Sequence, residues 1–559
     1  MYNRIKTIAA RIRISHVIII WLLINMVSSR FTLLYTDETY YKLFSQQLAF
    51  GYFDHPPMVA LFIWVGSVFS NSETGVRMVS VLAIAAALYF CYKLSGVQKP
   101  VLFLVAILSV FALNLLGFMA LPDAPLLLFT VLFFVVYKSF LLKENPKNII
   151  LLGLVMAGLL YSKYHGIMVI LFTLASNIRL LKSYKFWLAG FLGVLLFVPH
   201  MLWQYNNNFV TFSYHLVERS ASGFKFSVTI EYIIGQILFY GPFTAFFMYA
   251  ALLKYKVSDQ FEKALVLNIW GIICFFFLSS LKGRVEVNWT LPVIVPLLII
   301  FMKYAYANTV FRKWFYIFAG PSVVLILLFR IQMIYPVFRI RISRIDDLRG
   351  QKEFVQEVIA KSEGLPIIAG SYQKAGLISY YSGAFVPAIN LNGRRNQFNL
   401  WHADDSLRFR KVAYVNSYLD KGKNIENPLY SRNKVSIIDS LPVMSELVIT
   451  AEPHKIHCER NMELVIKVML NTTKSYNYYR DAGDYHTRLH AELYNNKDSL
   501  LSEQICSLPV NLLLKNNNGK YSFRISSPGE KGRYKILIAL QTTTLGTWST
   551  KKVIDLIIN

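Results

Sequence analysis

The chain has 559 residues, of which 55% are hydrophobic and only 16% charged, against roughly 25% charged in soluble globular domains. Its mean hydropathy of +0.41 excludes a wholly soluble or a disordered protein. A formal net charge of +26 would suit a nucleic-acid binder, but where the charges fall along the chain argues against that partner.

From about residue 14 to residue 336, apolar runs of about 17 to 22 residues recur between short polar connectors. Each is long enough to cross a hydrocarbon core of roughly 30 Å as a helix. The pattern predicts about eleven spans: 14–35, 76–95, 100–119, 123–142, 148–162, 165–178, 186–203, 232–253, 264–281, 289–306 and 314–335. Basic residues gather in alternate connectors: Arg4, Lys6, Arg11 and Arg13 first, then Lys93 and Lys99, then Lys138, Lys143 and Lys147. Arg179, Lys182 and Lys185 follow, then Lys254, Lys256 and Lys263, and finally Lys303, Arg312 and Lys313. By the positive-inside rule these connectors and the N-terminus lie in the cytoplasm. An odd number of spans then puts everything from residue 336 onward on the other side. The first apolar run is long, has no small-residue cleavage site, and reads as a signal anchor.

In the first external connector, segment 38–50 is amphipathic and segment 57–69 is apolar but short. Both read as helices along the membrane surface, since a crossing at 57–69 would move the lysine clusters outside. Beyond the last span, 351–362 reads as a helix, and 365–370 and 411–416 as buried strands. The division expected is a membrane domain over 1–336, an α/β unit over 337–434 and an antiparallel β-sandwich over 435–559. Cys91, Cys274, Cys458 and Cys506 lack metal-ligand spacing; pairing of Cys458 with Cys506 is open if that region meets an oxidising compartment.

The candidate chemistry starts at Asp37-Glu38, directly after the first span on its external side. Two adjacent carboxylates there are costly unless solvated or paired, although acids also favour the first turn of a helix. The loop continues YTDETYYKLFSQQLAFGYFDHPPM, and Gly75-Val76-Arg77 follows.

The acidic pair, the YFDHPP block and the later GVR resemble the GT-C glycosyltransferases. They are most similar to the branch holding the bacterial lipid A aminoarabinose transferases and the protein O-mannosyltransferases, over roughly residues 14–336. The resemblance implies a hexosyl- or pentosyltransferase with a polyprenyl-phosphate (undecaprenyl-phosphate-type) sugar donor. It would sit in a bacterial inner membrane and modify a lipid, polysaccharide or protein at the periplasmic face. Asp37 then matches the family's first-loop aspartate, held to be the catalytic base or to position the acceptor and a divalent ion. Glu38 matches a second acid that orients Asp37 or a neighbouring helix. Asp123, in Leu-Pro-Asp-Ala-Pro, matches a further acid, though a helix cap explains it too. Asp37 and Asp123 permit a shared metal ion, but two carboxylates are a thin set of ligands and no cofactor follows with certainty.

Lys163, in Ser-Lys-Tyr-His-Gly, is an external lysine that the positive-inside rule does not call for. It suits a lipid-linked phosphate, against the alternative of snorkelling. His55 stands where the aminoarabinose transferases carry a lysine, which puts a phosphate role there in doubt. Lys282 and Arg284 form a second external basic cluster; guanidinium grips phosphate with two parallel bonds. Tyr52, His55, Tyr164, Asn288 and Trp289 are expected against the substrates. Trp203, Gln204, Tyr205, Asn206, His215, Glu218 and Arg219 suit a sugar or an interfacial aromatic belt equally. Arg394, Arg395, Asn396, Gln397, Phe398 and Trp401, after Gly393, suit a carbohydrate acceptor or structural use. The competing function is a transporter or flippase of lipid-linked sugars, which calls for broken helices near the bilayer midplane.

Overall fold

The computed structural model describes residues 11–215, 226–338 and 348–559, apart from 390, 392, 393, 420, 482, 483 and 544. It divides into two compact units, Met1–Arg349 and Gly350–Asn559.

The first unit is helical. It opens with α1 (Ile14–Phe31), α2 (Thr36–Gln46), α3 (Met58–Phe69), α4 (Glu73–Ser95), α5 (Pro100–Ser109) and α6 (Phe111–Leu115). Then follow α7 (Asp123–Leu142), α8 (Pro146–Ser162), α9 (Gly166–Ser176), α10 (Tyr184–Asn206), α11 (Val210–Ser213) and α12 (Phe226–Tyr240). It ends with α13 (Ala245–Lys254), α14 (Gln260–Ser280), α15 (Ile294–Ala307) and α16 (Thr309–Ile334). The ends carry expected signals. Ser72 accepts from the Gly75 N–H to cap α4, which stops at Gly96 with φ +68°. Asn145 caps α8 ahead of Pro146.

Among the described residues seven helices are long and apolar enough to cross a membrane, and two bent pairs also qualify. The protein is a multi-pass membrane protein. Nine of the eleven predicted spans meet that test, and the other two, over 148–162 and 165–178, are the shorter apolar helices α8 and α9. Two predicted spans are not continuous, however. The one over 100–119 bends by 80° between α5 and α6, and the one over 232–253 by 94° between α12 and α13. Each break has its own local device. Asn114 donates to the carbonyls of Ile107, Leu108 and Val110 at 2.8–3.0 Å, serving backbone groups that the bend frees. Gly241 has φ +135°, a region open to glycine. Thr244 Oγ1 donates to Ser109 O at 3.2 Å, so the two breaks lock onto each other. The stretch Val287–Ala307 is 78% buried and forms the centre of the bundle, while α1, α10 and α16 turn Leu23, Phe191 and Val324 outward.

In the second unit β1 (Ile367–Ala369), β2 (Val412–Asn416), β3 (Lys423–Asn424) and β4 (Lys434–Ile438) form a mixed sheet in the order β1-β2-β4-β3. The predicted boundary at 434/435 falls inside β4. Next come β5 (Val448–Glu452), β6 (Lys455–Cys458), β7 (Glu463–Asn471) and β8 (Thr487–Tyr494). They are followed by β9 (Leu500–Pro509), β10 (Lys520–Ser526), β11 (Gly532–Thr542) and β12 (Gly546–Ile558). These pair as a three-stranded sheet, β10-β7-β5, and a five-stranded one, β6-β12-β11-β8-β9. The alternating burial of β7 marks one face turned to a core. That core also takes Ile368, Val412 and Ile438 from the mixed sheet, so it runs on through the unit. The sandwich is not wholly antiparallel, because β6 runs parallel to β12. Cys458 and Cys506 are both free. They sit on β6 and β9, opposite edges of one sheet, about four strand spacings of roughly 4.8 Å apart. A disulfide needs Cα atoms within about 7 Å.

Candidate functional site

Glu38 and Arg77 meet with no solvent exposure on either side chain. Arg77 Nε donates to Glu38 Oε1 at 2.8 Å, and Nη2 donates to Oε2 at 2.6 Å. The guanidinium also donates to the carbonyls of Ser29, Thr32 and Leu33, where α1 ends. Glu38 accepts from Tyr35 N–H at 2.8 Å and from Ala120 N–H at 2.7 Å. One carboxylate thus ties together the end of α1, the first turn of α2, the side of α4 and the loop ahead of α7. Asp37 occupies the same first turn of α2 and is half-buried. The bond to Ala120 joins its segment to the one carrying Asp123.

Asp123 opens α7 and is buried. Its Oδ1 accepts from Lys163 Nζ at 3.0 Å and its Oδ2 from Asn288 Nδ2 at 3.2 Å. Lys163 lies in the polar break between α8 and α9, Asn288 in the 3-10 turn Val287–Val293 that leads into α15. Three separate segments of the chain converge here. Trp289 packs 5.1 Å from the His165 ring and 5.6 Å from Phe276. A divalent ion fits this donor set poorly: an ammonium and an amide already occupy both oxygens of Asp123. Among the described residues, the one group of three potential metal ligands is His490, Glu492 and Glu503, in the second unit.

The structure gives several predicted residues other surroundings. Tyr52 is fully buried and stacks on Phe44 at 4.2 Å. Its hydroxyl donates to Phe44 O and Gln47 O and accepts from Ala49 N–H, and burial pushes it up to about 12. It holds the loop together. His55 is half-buried and meets Tyr41 edge-on at 5.5 Å. Lys282 is exposed in the turn after α14. Arg284 is 64% exposed and pairs at 3.3 Å with Glu286 two residues on, outside the buried cluster that holds Lys163. Glu218, Arg219 and Gly393 lie outside the described residues; Arg394, Arg395 and Trp401 belong to the second unit.

Sequence reasoning missed how much α10 contributes. The His200 Nδ1–H donates to Phe50 O at 2.6 Å, because a carbonyl only accepts. In the neutral ring Nε2 then accepts from the Tyr164 hydroxyl at 2.8 Å. Gln204 donates to both Tyr164 and Thr211, and Thr211 donates to Tyr52 O. Burial raises the Tyr164 hydroxyl well above its ordinary value. The signal was present: His200 and Gln204 are four apart in an otherwise apolar helix, where buried polar groups are expensive.

Residues 54–203 match the family described as dolichyl-phosphate-mannose-protein mannosyltransferase. No curated protein matches the chain. The structure is similar to that of ArnT from Cupriavidus metallidurans in the apo state, with TM-score 0.55 and 12% identity over 76% of this chain and 97% of that one. Its similarity to the same protein bound to undecaprenyl phosphate has TM-score 0.47 and 12% identity over 72% and 93%. At such identity the likeness is one of fold. The chain has the GT-C fold, a polytopic helical membrane unit followed by a β-rich unit.

Proposed function

We propose that the protein is a membrane glycosyltransferase that moves a sugar from a polyprenyl-phosphate carrier onto a lipid, polysaccharide or protein. The reaction would take place at the periplasmic face of a bacterial inner membrane, with the N-terminus cytoplasmic. The family match over 54–203 and the GT-C fold support the reaction class. The observation that supports the site is the clamp of Glu38 on Arg77 and Ala120, which joins the half-buried turn carrying Asp37 to the segment that leads into Asp123.

Asp37 takes the proton of an acceptor hydroxyl as that oxygen attacks the anomeric carbon from the face opposite the leaving group. The bond from sugar to phosphate oxygen breaks, and polyprenyl phosphate leaves as an anion with inversion at the sugar. Lys163 spends one donor on Asp123 and keeps two for that phosphate. Arg284, solvent-exposed, exchanges Glu286 for the incoming phosphate. Glu38 positions Asp37 and touches no substrate.

One observation favours the transporter reading, namely the two broken helix pairs. Backbone groups at both breaks are bonded within the protein rather than left facing a transport cavity: Val110 O and Ser109 O accept from Asn114 and Thr244, and Phe243 N–H donates to Ser322 Oγ at 3.1 Å. The test is transfer by purified protein from labelled polyprenyl-phosphate sugars to membrane extract. Asp37→Asn should lower the rate by about 10²–10⁴-fold. Equal transfer by variant and wild type would sink the assignment of Asp37. Scrambling of lipid-linked sugar by vesicles that show no transfer would favour the transporter.

A further inference from the structure

At the end of the membrane unit where α1, α5 and α16 begin and α4 stops, a cavity of about 620 Å³ opens between the helices. That is within the range of roughly 300–1,000 Å³ typical of small-molecule sites. Its lining includes four cations, Arg13, Lys93, Lys99 and Arg312, and no acidic residue. Among the described residues none of the four has a carboxylate partner. Arg312 is held in place, its Nη1 donating to Ala305 O at 3.1 Å and Tyr306 O at 2.9 Å. Lys93 rests over the Tyr89 ring at 5.6 Å. The remaining wall is apolar, with Ile14 and Leu102 among its members.

We infer that this cavity binds the phosphate headgroup of an anionic phospholipid, with the start of an acyl chain along the apolar wall. A basic belt at one end of a membrane protein is ordinary, and scattered surface lysines would need no ligand. Four cations lining one cavity, with no carboxylate partner among the described residues, are different, because they present one place for an anion. A bound phosphodiester supplies the negative charge. The helix ends add to the field: α5 begins in the cavity wall at Pro100, which has no N–H, and the N–H groups of Val101 and Leu102 have no partner within the helix. A free phosphate would satisfy the charges but leave the hydrocarbon wall unused, whereas the surrounding bilayer supplies an anion that already carries a chain. The site lies at helix ends, where a headgroup sits, and does not depend on the glycosyltransferase reading.

The test uses the full chain in detergent and counts lipid retained by native mass spectrometry during titration with phosphatidylglycerol or phosphatidylcholine. Phosphatidylglycerol should bind and phosphatidylcholine should not. Lys93→Gln with Lys99→Gln should weaken phosphatidylglycerol binding roughly 25-fold, about fivefold per cation. Lys93→Arg with Lys99→Arg, which keeps the charge, should retain it. Lys254→Gln with Lys256→Gln, at exposed basic positions outside the cavity, should change nothing. Equal loss in that control, or undiminished binding by the Gln pair, would overturn the site. Inorganic phosphate displacing the lipid at equal concentration would overturn the lipid as its ligand.

Discussion

Glu38 and Arg77 lie wholly out of solvent and share two hydrogen bonds, so removing either strands a charge. Arg77→Ala should cost about 3–5 kcal/mol, read as loss of the monodisperse peak and a lowered melting temperature in detergent. A Glu38→Met/Arg77→Met double variant should not recover, although a buried pair can often be replaced by apolar side chains. Here Glu38 also serves the N–H groups of Tyr35 and Ala120, and each orphaned donor costs about 1–3 kcal/mol. Recovery of wild-type stability would refute the clamp. Asp123 and Lys163 allow a sharper test, with opposite signs. Lys163→Ala should weaken binding of polyprenyl phosphate, while Asp123→Asn frees the ammonium and should tighten it; a purely structural pair would shift both the same way. Asp37-Glu38, Arg77, Asp123, Lys163 and Asn288 all stood out in the sequence by charge or motif. Their pairing did not, because it joins residues 39, 40 and 165 positions apart. The surroundings of Tyr52 were hidden for the same reason: the bonds of its hydroxyl to the backbone of its own loop are set by the fold of that loop and not by the motif beside it.

The helices were the most legible feature, since apolar length alone decides whether a segment spans. The breaks at α5/α6 and α12/α13 were not, because hydropathy stays high across them and what permits them is tertiary. Gly241 is the clearest case. A Cβ there would stand 2.1 Å from Thr244 Oγ1 and 2.6 Å from Ser109 O. Ser109 O is backbone on the other broken pair and cannot swing aside. Gly241→Ala should therefore cost more than the 1–3 kcal/mol of a strained backbone alone. It should lower the melting temperature well beyond what Gly320→Ala does, since a Cβ at Gly320 meets nothing within 4 Å. Equal effects would show that the two breaks do not depend on each other.

The two units have separate apolar cores, so a titration confined to one should leave the other unmoved. Asp404 sits buried in the second unit, and burial pushes its carboxyl up from 3.8 to about 6. A carboxyl whose folded value is raised favours the folded state when protonated. Its contribution is complete below about pH 4 and is lost as the pH rises through 6. The shift of about two units amounts to about 3 kcal/mol at neutral pH. Lys374, in the same unit, moves the other way: burial lowers it from 10.5 to about 8. Its contribution is present above pH 10.5 and is lost as pH falls through 8. At pH 7 the unit carries both costs at once. Asp404→Asn keeps the shape without the charge, so it should stabilise the second unit at pH 7 and leave it unchanged at pH 4. Hydrogen exchange on the full chain reads this directly, with amides of β7, β8 and β11 gaining protection in the variant at pH 7 and those of α4 and α7 staying as they were. If wild-type protection in those strands, corrected for the intrinsic exchange rate, rises from pH 4 to pH 6, the assigned cost of Asp404 is wrong in sign.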